Sequence, residues 1–271
     1  MSVRGLITTA LLAAALAGGA PGQTSSASVP AAAAGVSFEQ RLGAVVPVDE
    51  PLRGEDGKPV TLREVAGGKP LVLVLVWYRC PMLCGEMTKG VLRSLRAVSL
   101  EAGSDFRVAF VSIDPREGAD LAAKKKQNVC AEYGRPGCEQ GLRFLTGTAA
   151  ATEAIAQSVG YRYRWDEASA SWVHAAGIVV LTPAGTVSRY LFGVDYPPRD
   201  LRLALLDSAA ERIGTLADQL LLLCYHYDPA TGRYGFAIQN GLRIAGTATV
   251  VALVIWLWRL SRRPRPRAAE G

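Results

Sequence analysis

Leu71 to Trp77 form an unbroken apolar run, Leu-Val-Leu-Val-Leu-Val-Trp, set between Gly67-Gly68, Pro70 and Arg79. A strand with one wet face alternates apolar and polar residues, so a continuous Val/Leu run this short, bounded by glycine and proline, predicts a strand buried on both faces. Phe106 to Ile113, apolar apart from Arg107 and Ser112, reads as a second buried strand and is closed by Asp114-Pro115. Two such strands require a sheet covered on both sides, and the intervening segments supply the cover. Cys80-Pro81 opens a predicted helix running to about Glu101, with proline suited to a first turn. Further helices are predicted at Ala119 to Glu132, Ala149 to Val159 and Asp200 to Arg212, with a short strand at Arg143 to Leu145.

The remaining signals are turns. Gly54 to Lys58 between Leu52 and Val60 predicts a hairpin, as does Thr182-Pro183-Ala184-Gly185 between Ile178 to Leu181 and Val187 to Phe192. Tyr161 to Arg164 and Ser171 to His174 read as short strands around a turn. Strands alternating with helices, then a late hairpin and a last helix, give an α/β class. The order fits a thioredoxin-like fold with an extra hairpin and insertions.

The ends of the 271-residue chain read differently from its middle. Arg4, the apolar run Leu6 to Ala17, and small residues up to Ala20 follow the order of a secretory signal peptide, taken as residues 1–20. The run is short for a membrane span, which needs about 20 residues. Residues 21–37, rich in Ala, Ser, Gly and Pro, read as a flexible linker. The predicted domain covers 38–212, followed by a juxtamembrane segment at 213–240. Gly241 to Leu260 is expected to be a transmembrane helix, with Trp256 and Trp258 near one edge where indoles favour the interface. Arg259, Arg262, Arg263, Arg265 and Arg267 mark a cytoplasmic tail, 261–271, by the positive-inside rule. That orientation puts the domain on the extracytoplasmic (periplasmic) face, as the signal peptide does independently. Those arginines carry five of the formal net charge of +6, so the basic balance belongs to the tail and gives no nucleic-acid reading.

Five cysteines in an exported chain allow disulfides and leave at least one thiol over. Cys80 and Cys84 stand at i and i+4 where a buried strand turns into a helix. On a helix, residues four apart share a face, so both sulfurs can approach one ligand. A helix N-terminus, with its unpaired N–H groups and positive dipole end, favours thiolate over thiol. Two soft thiolates suit Cu(I), and an added imidazole accommodates Cu(II). The chain has two histidines. A lone histidine is more often satisfied by core hydrogen bonds, but His174, in a late loop ahead of an apolar strand, lies where this fold approaches the first helix, and the cysteine pair favours its reading as third ligand.

The run Cys80-Pro81-Met82-Leu83-Cys84 after a Val-rich strand resembles the motif of the Sco/SenC family of copper-binding assembly factors for cytochrome c oxidase. So do Val111-Ser112-Ile113-Asp114-Pro115, Phe144-Leu145-Thr146-Gly147 and His174 ahead of a strand and hairpin. The resemblance spans roughly Phe38 to Arg212. It implies a thioredoxin-like fold, one copper ion, Cu(I) or Cu(II), held by Cys80, Cys84 and His174, and a partner in the copper-bearing subunit of a terminal oxidase, with the copper donor unnamed. Two departures stand out. Gly85 follows the second cysteine where proline is frequent, and the anchor is expected at the C-terminus rather than the N-terminus.

Other residues carry weaker signals. Cys130 and Cys138 flank Gly134-Arg135-Pro136-Gly137 and read as a structural disulfide, the alternative being a second redox pair exchanging with Cys80 and Cys84. Spacing alone does not fix the Cα separation a bridge needs. Cys224 and His226, just before the expected span, are either a secondary copper or docking site or a packed loop with one free thiol. Met82 and Met87 read as core filler rather than thioether ligands, Asp114 as a candidate orienting group, and Lys124-Lys125-Lys126 as a solvated helix face.

The leading expectation is a copper metallochaperone that helps metallate cytochrome c oxidase. The competing one is an enzyme, a thiol–disulfide oxidoreductase whose redox-active pair, Cys80 and Cys84, reduces the client's copper-site cysteines; thiolate attack and Cu(I) binding need the same deprotonated sulfur. Three residues between the cysteines, where dedicated oxidoreductases usually have two, favour the metal. A peroxidase of similar fold is disfavoured because Trp77 stands where that family has threonine.

Overall fold

A computed structural model of the chain describes residues 35–80, 83–214, 227–228, 233–234 and 236–261, with side chains for all of these except 83–84, 227–228, 233–234, 236–242 and 260–261. Along the chain follow β1 (Ser37–Phe38), β2 (Leu52–Arg53), β3 (Pro59–Val60), α1 (Leu62–Ala66), β4 (Leu71–Val76), α2 (Leu83–Ala97), β5 (Arg107–Ser112), α3 (Ala119–Tyr133) and α4 (Cys138–Gly141). Then come β6 (Leu142–Gly147), α5 (Ala149–Ser158), β7 (Tyr161–Arg162), β8 (Arg164–Asp166), β9 (Ser171–Val173), β10 (Gly177–Leu181), β11 (Val187–Phe192) and α6 (Pro198–Ala209).

The main sheet has seven strands in the order β11-β10-β4-β5-β6-β2-β3. β4, β5 and β6 run parallel, with Val76 opposite Ser112 and Val111 opposite Leu145. Parallel neighbours need crossovers, which the helices between them provide. β10 returns antiparallel to β4, with Val179 opposite Leu73, and β11 closes the hairpin. The set β4, β5, β10 and β11, with a helix leaving the end of the central β4, is a thioredoxin-like core, and β6 with the β2–β3 hairpin widens the sheet on one side.

The apolar run of β4 explains its place at the centre. Its six side chains are each at most 3% exposed. Val72, Val74 and Val76 pack with Val91, Leu92, Phe110 and Leu201 on the side of α2 and α6, while Leu71, Leu73 and Leu75 pack with Leu62, Val65 and Ile155 on the side of α1 and α5. Each such burial contributes about 2 kcal/mol. Local signals fix the helix ends. Thr61 and Glu64 form a reciprocal capping box at the start of α1, and Gly67 ends that helix in the left-handed region.

Several expectations shift. α2 starts at Leu83, so Cys80-Pro81 precedes the helix instead of opening it. Ordered pairing begins at Ser37, inside the stretch whose composition reads as linker, because β1 pairs with β7. The segment read as one strand over Tyr161 to Arg164 divides, Arg164–Asp166 pairing with β9 instead. α6 starts at Pro198, since proline is tolerated in a first turn where no N–H is needed. Lys126 is not a solvated charge: it is 12% exposed and lies 2.8 Å from Glu55, itself 10% exposed and also bonded by Arg143. Burial pushes the Glu55 carboxyl up, but the Lys126 hydrogen bond and its other donors outweigh it and hold the group below its usual range. Met87 is buried core.

Cys130, at the end of α3, is disulfide-bonded to Cys138, the first residue of α4, with 5.6 Å between their Cα atoms. The bridge closes a short loop, for which chain entropy gives about 2–3 kcal/mol. The Cys130→Ala/Cys138→Ala variant should lose about that much in denaturant unfolding, and an unchanged midpoint would mean that the bridge does not stabilise the domain.

Beyond the domain lie β12 (Tyr227–Asp228), paired with β13 (Arg233–Tyr234), and the 26-residue helix α7 (Phe236–Ser261). Ile244, Val250, Leu253, Trp256 and Leu257 of α7 are exposed. Among the described residues no helix is long and apolar enough to cross a membrane, the side chains of α7 being described only over 243–259. The expected signal peptide, Met82, Cys224, His226 and the arginines from Arg262 onward lie outside the described residues.

Candidate metal centre

Cys80 stands at the C-terminal end of the central strand, where Trp77–Arg79 turn toward α2. The Cys80 N–H donates to the carbonyl of Trp77 at 3.2 Å, closing this turn. Its thiol is free and half-buried, packed against the cluster that holds Trp77, Val111 and Ile113. It also borders a cleft of ≈ 190 Å³ lined by Trp77, Thr88, Lys125 and Phe144, which gives the sulfur a route to solvent. Cys84 lies in the first turn of α2. Because Cys80 precedes that helix, the shared-face argument for the two sulfurs does not apply.

His174 reaches the same end of the sheet through the register of β10. That strand is antiparallel to β4, with Leu181 opposite Leu71 and Val179 opposite Leu73. Continuing the alignment brings Ala175 level with Trp77, and adjacent strands lie about 4.8 Å apart. Ala175 and Cys80 accordingly pack against one cluster.

The imidazole is held by its inner nitrogen. Nδ1 lies 2.9 Å from the Tyr161 hydroxyl and 2.9 Å from the Ala175 carbonyl, and Tyr161 in turn donates to that carbonyl at 2.9 Å. With the tyrosine proton directed at Ala175, the arrangement assigns a proton to Nδ1 and leaves the lone pair on Nε2. That tautomer is the one in which a histidine ligates a metal while its other nitrogen is oriented by a protein acceptor. Burial also lowers the His174 pKa, against the opposing effect of the hydrogen bond to the Ala175 carbonyl. The folded-state value therefore lies below the usual 6.5 or so. Protonation is deferred to lower pH, and the neutral ring persists through the window where an exposed histidine would charge. Imidazole NMR titration of the metal-free chain should show this depressed midpoint. A midpoint at or above the ordinary value would contradict the buried, neutral assignment.

Aromatic rings enclose the site. Trp165 meets Trp77 edge-on at 6.3 Å between centroids and Trp172 at 5.4 Å, so the β8–β9 hairpin leans against the turn carrying Cys80. The guanidinium of Arg116 lies 4.3 Å over the Trp165 ring and is also bonded to Asp114 at 2.8 Å. Burial pushes the Asp114 carboxyl up, yet the Arg116 bonds dominate and hold it below the usual carboxylate range. Asp114 thus faces Arg116 and also Trp172, two residues before His174.

A free thiol and a neutral imidazole with an engaged Nδ1 are donors that fit copper in either common oxidation state. Among the described residues no group of three His, Cys, Asp or Glu side chains converges on a metal position, and the side chain of Cys84 is not among them. Sequence reasoning missed Tyr161 and Glu117. A tyrosine ahead of an Arg-Tyr-Arg strand carries no local mark of its partner, and Glu117 finds its backbone partners 38 and 39 residues away.

A family model described as SCO1/SenC matches residues 51–205, more than half of the chain. This chain belongs to the SCO1/SenC family. The matched range starts just before the β2–β3 hairpin and ends within α6, so it contains the Cys80 turn, the Asp114 loop and His174. Among solved structures, a putative electron transfer protein from Aquifex aeolicus is similar at 24% identity, covering 63% of this chain and 95% of its own, with a TM-score of 0.55. A SCO1/SenC family lipoprotein from Bacillus anthracis is similar at 15% identity, covering 64% and 99%, with a TM-score of 0.50. At these identities the likeness establishes the fold. No curated protein matches the chain.

Proposed function

We propose that this SCO1/SenC protein is a copper metallochaperone in which Cys80, Cys84 and His174 hold one copper ion, Cu(I) or Cu(II), for delivery to the copper-bearing subunit of cytochrome c oxidase. The observation that carries the reading is the β10 register, which brings His174 to the end of β4 from which Cys80 departs, with Nδ1 already occupied. A chaperone needs convergent donors that release as well as bind, and a half-buried thiol bordering a cleft supports transfer to a partner. Copper titration of the full chain, with each ligand replaced in turn, tests this directly: binding of one equivalent that depends on all three residues is expected. Binding unaffected by the loss of any of them would overturn it.

The second reading, a thiol–disulfide reductase acting on the client's cysteines, is favoured by the free Cys80 thiol. The Cys130–Cys138 pair is bridged, as both a structural role and exchange with Cys80 and Cys84 require. His174 separates the two readings, since dithiol exchange does not require it.

We further infer that the domain is exported and that Gly241 to Leu260, within α7, anchors it in a membrane with the arginine-rich tail on the cytoplasmic side. Exposed apolar side chains around the helix, and Trp256 and Trp258 near its end, support a lipid surrounding. The full chain should then stay with membranes through alkaline carbonate washing, whereas release into the wash would exclude a spanning helix.

A further inference from the structure

Glu117 is a buried carboxylate, 4% exposed, that lies outside the set of metal donors. One oxygen accepts the N–H of Tyr78 at 3.0 Å and the Ser112 hydroxyl at 2.6 Å, while the other accepts the N–H of Arg79 at 2.8 Å. Tyr78 and Arg79 immediately precede Cys80, whose own N–H is taken by Trp77. Each backbone donor of the turn from Tyr78 to Cys80 therefore has a fixed acceptor, and the next residue, Pro81, has no N–H to offer. Two successive N–H groups aimed at one carboxylate form a small anion-binding nest. The carboxylate belongs to the loop after β5, and β5 is the parallel neighbour of β4 with Ser112 opposite Val76. Glu117 thus pins together two chain segments that leave the sheet side by side.

Burying a charged carboxylate is unfavourable unless hydrogen bonds compensate it, so three donors converging on one glutamate constitute a built anchor rather than a chance contact. We propose that Glu117 is a positioning residue for Cys80: it fixes the backbone of Tyr78 and Arg79 and thereby the place and direction from which the thiol meets the metal. The metal part of this inference rests on the copper reading of Cys80; the anchoring part does not. Glutamine keeps the shape but offers only one acceptor oxygen, so Glu117→Gln cannot satisfy both backbone donors and the serine together. Ser112→Ala removes the third donor, together with the hydroxyl oxygen that accepts the Asp114 N–H at 3.1 Å, and leaves both backbone anchors in place.

The test uses the full chain. Without metal, amide exchange of the Trp77–Cys80 segment and the rate at which iodoacetamide alkylates Cys80, resolved from Cys84 by fragmenting the peptide that carries both, are measured in wild type, Glu117→Gln and Ser112→Ala. Cu(I) affinity is then measured by competition with a colorimetric Cu(I) chelator. Glu117→Gln should speed exchange at Tyr78 and Arg79, alter the Cys80 alkylation rate and weaken Cu(I) binding on the order of 10-fold, the scale typical of groups that orient a ligand. Ser112→Ala, which takes one of the three bonds from Glu117 but leaves both backbone donors, should shift each of them by less than Glu117→Gln does. The inference falls if Glu117→Gln leaves the alkylation rate and affinity unchanged, or if Ser112→Ala shifts them as much, which would make the effect general destabilisation. Should Glu117→Gln fail to fold, wild-type exchange decides: protected Tyr78 and Arg79 amides support the anchor, and amides exchanging as freely as unstructured chain overturn it. A wild-type chain that binds no Cu(I) would sink the copper reading while the exchange and alkylation results still judge the anchor.

Discussion

Replacing His174 with alanine should weaken copper binding by at least about 100-fold, or about 2.7 kcal/mol, while the Cys80–Cys84 dithiol continues to oxidise and reduce. The expectation follows from the division of labour at the end of β4. Two thiolates can hold Cu(I) by themselves, so the loss should be larger for Cu(II), which favours the imidazole. The ring is neutral and oriented before metal arrives, its Nδ1 being held against Tyr161 and Ala175. On the proposed reading, removing it discards a ligand whose orientation is already set in the folded chain. Competition titration with Cu(I) and Cu(II) chelators measures the change, and thiol titration after mild oxidation follows the cysteines. Undiminished copper affinity combined with lost reductase activity would reverse the ranking of the two proposed functions.

The second large effect is structural and acts on the helix that carries Cys84. Gly90 faces the segment before α6 so closely that a Cβ built on it would lie 1.9 Å from the Val194 carbonyl oxygen and 3.0 Å from its carbon. Backbone cannot swing aside as a flexible side chain can, so Gly90→Ala must shift α2 away from Val194 and Asp195. A cost of about 3 kcal/mol, the upper part of the usual overpacking range, is expected in denaturant unfolding. Arg93, one turn further on, would lose its 3.0 Å ion pair with Asp195 as the elements part. Gly85 on the same helix is the matched control. A Cβ there meets nothing within 4 Å, so Gly85→Ala should be neutral or stabilise by about 0.5–1 kcal/mol. Equal effects from the two substitutions would mean that α2 does not pack as described.

Strand identities were legible in the sequence where burial leaves a continuous apolar run. Leu71 to Trp77 is such a run and Phe106 to Ile113 is one apart from Arg107 and Ser112; each predicts a central strand and becomes one, because the sheet is covered on both sides. The late hairpin was legible for another reason: Thr182 to Gly185 is a turn in its own right, with Gly185 at φ 85° where an L side chain is strained. The start of α2 was not legible. Proline at position 81 is as compatible with a loop as with a first helical turn, and the turn before it is tied by Glu117, a group distant in sequence that accepts the Tyr78 and Arg79 N–H groups. Lys126 was misread for a similar reason, since its partner Glu55 sits in a hairpin 71 residues away. At the candidate centre, the residues proposed as ligands are named by residue chemistry and family resemblance, whereas the groups that hold them were not. Tyr161 and Glu117 act through pairings created by the sheet, and sheet pairing leaves no local signature.

X-ray absorption at the copper edge, on the metal-loaded full chain and on its His174→Ala variant, addresses the assignment most directly. Sulfur scatterers from two cysteines together with one imidazole are expected in the wild type, and the imidazole pattern should vanish in the variant. An imidazole pattern that survives the substitution, or a wild-type spectrum containing sulfur alone, would contradict the centre assigned to Cys80, Cys84 and His174.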